Sequence, residues 1–132
     1  MSQQITKEEI KKKTEKYAKL SLHYSDNAQK FLKLKEFEKA SEMMWGSMST
    51  IMKAVASNKG EMLKNHGHLF GFAEKLAKEM SDPEIYTSFL IASNLHTNFY
   101  ESNLEEENTL KMIKKIARTI GKLMINLGYR PR

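Results

Sequence analysis

The chain has 132 residues, 40% hydrophobic and 29% charged, which suits one domain (residues 1–132) with a substantial core and carries no compositional mark of disorder. It has no cysteine, which removes disulfides and thiolate chemistry, and only two prolines and six glycines, few for a fold built on frequent turns. The formal net charge of +6 is uneven: residues 1–40 hold ten lysines against six acids, a surplus of four, and the remainder is nearly balanced.

Arginine occurs only at Arg118, Arg130 and Arg132, so lysine carries most of the positive charge. Lysine attracts phosphate as a point charge but lacks the bidentate fork used for specific reading. The balance therefore fits weak affinity for polyanions, or simply a solvated helix face, rather than a sequence-specific DNA reader. Met1 to Lys19 is charged and has no continuous apolar stretch, so the sequence predicts neither a signal peptide nor a membrane span, and a cytoplasmic protein.

Thr6-Lys7-Glu8-Glu9 has the form of a capping box with Thr6 as N-cap. The helix it opens carries Ile10, Tyr17, Tyr24 and Phe31 at steps of seven, with Leu20, Asn27 and Leu34 on the same seam. A second helix is expected from about Phe37 to Ser57, striped by Phe37, Ala40, Met44, Met48, Ile51 and Val55. Asn58-Lys59-Gly60 stops it, and residues 61–67 read as a loop or single turn. The third helix, His68 to Met80, buries Leu69, Phe72 and Leu76. Asp82-Pro83 starts the fourth, expected to reach Tyr100, because proline suits a first helical position. A second capping box, Ser102 to Glu105, opens the fifth, with Leu110, Ile113, Ala117, Ile120, Met124 and Leu127 on one side and Gly128 at its end. Five amphipathic helices with short connections predict an all-α, up-and-down bundle. Phosphate loops, paired zinc ligands and nucleophile elbows have no match in the sequence.

His96 is the leading site candidate. It continues the fourth helix's row of Ile85, Phe89 and Ala92 towards Phe99, where a core leucine would be expected. A buried histidine there is either a satisfied structural ring or a general acid or base of the kind RNA cleavage requires. Tyr100 lies one helical turn beyond it and would donate a hydrogen bond on the same side. His66 and His68 are two apart, diverge on a helix, and lack a third ligand, so neither a metal site nor a cofactor is expected. His68 reads as a helix-start residue that packs or hydrogen-bonds. Trp45 with Met43, Met44, Met48 and Met52 reads first as core, then as a dimer interface or an adaptable groove.

The segment Phe37-Glu38-Lys39-Ala40-Ser41-Glu42-Met43-Met44-Trp45-Gly46, with Ile51-Met52-Lys53-Ala54 downstream, resembles the second helix of archaeal PaREP-type proteins. Leu95-His96-Thr97-Asn98-Phe99-Tyr100-Glu101 is similar to that family's second signature. The likeness runs from about Tyr17 to Ile120 and places the chain near the HEPN-like class of helical bundles. It implies a homodimer, a nucleotidyltransferase partner, and RNA as the associated polymer. HEPN ribonucleases carry an arginine several residues before their histidine. Here Phe89, Leu90, Ile91 and Ala92 stand in that stretch, so the arginine is missing and Arg118 on the next helix is the remaining candidate.

Three readings follow. The first is an HEPN-like homodimeric interaction or nucleic-acid-associated module without catalysis, with Trp45, Lys53, His68 and Asn98 at its ligand or interface surface. The alternative is a metal-independent ribonuclease in which His96 moves protons and Tyr100, Arg118 or Lys53 steadies the phosphate. A small-ligand pocket lined by Trp45 and His96 is a further alternative.

Overall fold

The computed structural model describes residues 6–101 and 104–130. Within them run α1 (Lys7–Lys33), α2 (Phe37–Asn58), α3 (His66–Glu79), α4 (Pro83–Thr97) and α5 (Glu106–Asn126), with no strand among the described residues. The expected all-α bundle of five helices is what the chain forms.

Local chemistry sets the helix ends. The Thr6 hydroxyl accepts the Glu9 amide at 3.1 Å and opens α1 as its sequence suggests. Asn65 accepts the His68 amide at 2.9 Å, so α3 begins at His66, earlier than expected. Asp82 accepts the Glu84 amide at 3.1 Å beside Pro83, starting α4. In the second capping box, Ser102 and Asn103 lie outside the described residues; α5 opens at Glu106 with Glu105 as N-cap and no side-chain cap bond. Four helices stop in the same way, with a residue at positive φ followed by an amide that reaches back five residues. Glycine holds that place after α2 (Gly60) and α5 (Gly128), whereas Lys35 and Ser81 hold it after α1 and α3.

The second helix is the hub. It packs against α1, α3, α4 and α5, and it buries residues around most of its circumference, among them Met44, Met48, Ile51 and Met52. The methionine-rich stripe is thus core, as first expected, with Met43 and Trp45 at its margin. One hydrophobic cluster draws side chains from all five helices. Replacing Ile51 with alanine at its centre is expected to cost about 2–5 kcal/mol.

The packing of α1 departs from its large-residue seam. Its buried positions are Thr14, Ala18, Ser21 and Ala28, while Tyr17 and Phe31 flank the contact and Leu20 and Leu34 are exposed. Small residues let α1 approach α2 closely, and serines stitch the contact. Ser21 donates to the Ser47 carbonyl and Ser47 to the Ser21 carbonyl, each at 2.8 Å, and Ser25 meets the Ser47 hydroxyl at 2.6 Å. Asn27 bonds His23 on its own helix rather than fixing a register across helices.

In α4 the buried row is Ile85, Ser88, Phe89, Ala92 and Leu95. His96 is exposed, which corrects the expectation of a core histidine. Leu95 is the apolar alternative one position earlier, and burying it turns the next residue about 100° away. Thr119 on α5 donates to Ser88 at 2.7 Å and fixes how α4 and α5 pass each other.

Candidate functional site

Where His96 emerges, it meets Trp45. The indole of Trp45, half-buried on α2, lies 5.9 Å from the His96 ring centroid with the planes only 18° apart. His66, in the first turn of α3, approaches the same indole at 6.4 Å and 31°. From inside, Phe89 lies at 5.3 Å and Phe70 at 6.5 Å, and those two rings meet edge to face at 4.8 Å. The Asn65 cap puts His66 there, and the burial of Leu95 puts His96 there.

An open groove runs from this cluster along the α1–α2 edge. It consists of two hollows, of about 380 Å³ at the Trp45 end and about 370 Å³ at the Lys13 end, which share Lys53, Leu63 and Lys64 as walls. Tyr24 and His66 line the first, and Lys13 and Tyr17 the second. Gly46 shapes the wall between α1 and α2, because a Cβ there would stand 2.9 Å from the Tyr24 ring. The Lys53 ammonium lies 6.0 Å from the Tyr17 ring centroid, and the Lys16 ammonium lies 5.9 Å from it.

The charge of this groove is not neutralised locally. Among the described residues, Lys13, Lys53 and Lys64 form no ion pair with a carboxylate, whereas Lys35, Lys39, Lys59, Lys75 and others do. Glu61, the acid that lines the Lys13 end, accepts from Lys75 at 3.1 Å. That hydrogen bond, with the attraction of Glu61, holds the Lys75 ammonium above its usual pKa. The site can therefore offer aromatic faces and free ammonium groups side by side, which is a binding chemistry.

The other candidate residues lie elsewhere. Helix α4 ends at Thr97, capped by Asn98, which donates to Asn94 at 2.8 Å. Tyr100 is therefore not one helical turn beyond His96: it is 79% exposed and donates its hydroxyl to Glu38 on α2. That bond, reinforced by the Glu38 charge, raises the phenol's pKa. Arg118 is exposed and lines a surface hollow with Glu84, Lys115 and Lys122 at the Pro83 end of α4. The Ser88–Thr119 bond places it there, and His96 lies eight residues further along α4, about 12 Å of helix. His68 turns away from His66, its Nδ1 accepting the Lys64 amide at 3.3 Å. Among the described residues no three metal-ligating side chains converge.

Of the sequence candidates, then, the structure joins Trp45 to His96 and sets Lys53 in the adjoining groove. It adds His66, Tyr17 and Tyr24, which the sequence suggests for other roles, and Lys64 and Lys13, which the sequence does not single out. Asn65 was the available signal for His66, since an N-cap at that place starts the helix one residue later.

No helix among the described residues is long and apolar enough to cross a membrane. No curated protein and no solved structure matches the chain. The model of the archaeal PaREP1/PaREP8 family matches residues 16–120, most of the sequence, and the chain belongs to that family.

Proposed function

We propose that this member of the archaeal PaREP1/PaREP8 family is a homodimeric, HEPN-like helical module that holds nucleic acid, RNA foremost, without cleaving it. The observation that carries the reading is the stack of His96 on Trp45 at the head of a groove of unpaired lysines. Cleavage of a phosphodiester by a histidine needs proton transfer and a cation that steadies the charged phosphorane. Of the three residues expected to steady the phosphate for His96, Arg118 stands at the other end of α4 and Tyr100 is engaged by Glu38, which leaves Lys53 in the groove beside Trp45. Aromatic faces beside ammonium groups suit retention of a polyanion instead.

Support for the homodimer comes from the family resemblance. The nucleotidyltransferase partner rests on the resemblance alone, and co-purification with the product of a neighbouring gene tests it. The reading as a whole is tested by incubating the protein with single-stranded RNA in the presence of a chelator. Binding with the RNA left intact is the expected result. Cleavage that disappears in a folded His96→Ala variant would replace it with the ribonuclease reading. Light scattering tests the dimer, and a monomer at micromolar concentration would remove that part.

A further inference from the structure

We infer that the groove from Trp45 to Lys13 holds a single-stranded polynucleotide of more than one nucleotide, with a base in the hollow lined by Trp45, His66 and Tyr24 and its phosphates along Lys64, Lys53 and Lys13. The inference rests on the nucleic-acid reading above and adds the place and the strand form of the bound polymer.

Length argues for a strand rather than a free nucleotide. Tyr24 and Lys13, at the two ends of the groove, are eleven residues apart on α1, about 16 Å of helix. One stacked strand advances only about 3.4 Å per nucleotide. The two hollows share Lys53, Leu63 and Lys64 as walls, so a strand seated in one needs to pass only these residues to reach the other. Composition argues for a nucleic acid rather than an acidic peptide. Lys13, Lys53 and Lys64 would attract either, but Trp45, Tyr24 and Tyr17 alternate with them, and a flat ring surface is useful to a base and idle towards a carboxylate. The cations are lysines, which track a backbone without the bidentate geometry that reads bases, so binding is tolerant of sequence. Ribose and deoxyribose strands share this chemistry, and the test separates them.

Trp45 is the protein's only tryptophan, so its fluorescence reports directly on one end of the groove. The full chain is titrated with a twelve-nucleotide uridine RNA, the matching thymidine DNA, uridine monophosphate and polyglutamate, with Trp45 emission and ligand anisotropy both recorded. At least one of the two strands is expected to bind and quench Trp45, and uridine monophosphate and polyglutamate to bind at least tenfold more weakly. The double variant Lys53→Gln/Lys64→Gln is expected to lose at least tenfold in strand affinity. Its slope of log affinity against log salt should fall by about 1.4, roughly 0.7 for each phosphate contact removed. Exposed Lys64→Gln alone guards against misfolding of the double variant, and Lys114→Gln on α5 serves as a charge control expected to bind normally. Strand binding that survives both lysine substitutions unchanged would overturn the groove while leaving the nucleic-acid reading intact. Absence of binding to either strand would overturn both. Equal affinity for the monophosphate or for polyglutamate would overturn the strand assignment.

Discussion

The imidazole of His96 lies almost parallel to the indole of Trp45, 18° between planes and 5.9 Å between centroids, although the two residues belong to different helices. Because His96 is exposed, the pair is a surface contact and not a core element. An aromatic pair of this kind contributes about 0.5–1.5 kcal/mol beyond its buried area. His96→Ala is therefore expected to fold, to lose roughly 1 kcal/mol in denaturant titration, and to change the emission of Trp45. A loss of several kcal/mol would show that His96 is a core residue after all.

The two glycines within α2 and α5 should respond to alanine in opposite ways. Gly121 faces open space, so Gly121→Ala is expected to gain about 0.8–1 kcal/mol of helix propensity. Gly46 has the Tyr24 ring 2.9 Å from where a Cβ would stand. There the ring must shift, and Gly46→Ala is expected to lose about 1–2 kcal/mol despite the same propensity gain. Paired urea melts of the two variants measure the contrast, and a stabilised Gly46→Ala would mean that α1 is free to move off α2.

Lys35 holds φ at +58° at the end of α1, a conformation that suits glycine. Its ion pair with Glu106 spans 4.0 Å between exposed groups and contributes little. Lys35→Gly is expected to stabilise the protein by roughly 0.5–1 kcal/mol, as relief of backbone strain exceeds the entropy glycine adds to the unfolded chain. A higher midpoint in thermal denaturation checks this.

The architecture was legible in the sequence because apolar spacing and cap chemistry agree along most of the chain, as at Thr6, Asp82 and Gly60. The site was legible only in part. Spacing of three or four allows either Leu95 or His96 to follow Ala92, and only packing against the hub helix decides for leucine. On α1, attention to Tyr17, Tyr24 and Phe31 concealed the seam of Ala18, Ser21 and Ala28, since small residues give no hydrophobic signal. Tyr100 and Glu38 are 62 residues apart, and no local pattern announces that they meet. The lysine groove has the same origin: Lys13, Lys53 and Lys64 come from separate segments and are assembled by tertiary packing.

Alkaline pH should expose the environment of Tyr129. Burial, and to a lesser degree the charge of Glu15, raise its pKa above the ordinary value of 10.0. Above that value the unfolded chain gives up the proton while the folded chain keeps it, so the unfolded state binds fewer protons and stability falls as pH rises. The contribution is complete below about pH 10 and is lost as pH climbs through the raised pKa. Tyr129→Phe is expected to reduce this alkaline loss in denaturant titrations from pH 9 upwards; an unchanged slope would place the phenol in solvent.

The central claim, that the chain holds RNA and does not cut it, is tested most directly by one assay. End-labelled single-stranded RNA is incubated with the full chain and a chelator, and each sample is split between a native gel and a denaturing gel. A shifted band on the native gel with full-length RNA on the denaturing gel is the expected result. Shortened RNA on the denaturing gel, absent when a folded His96→Ala protein replaces the wild type, would contradict it.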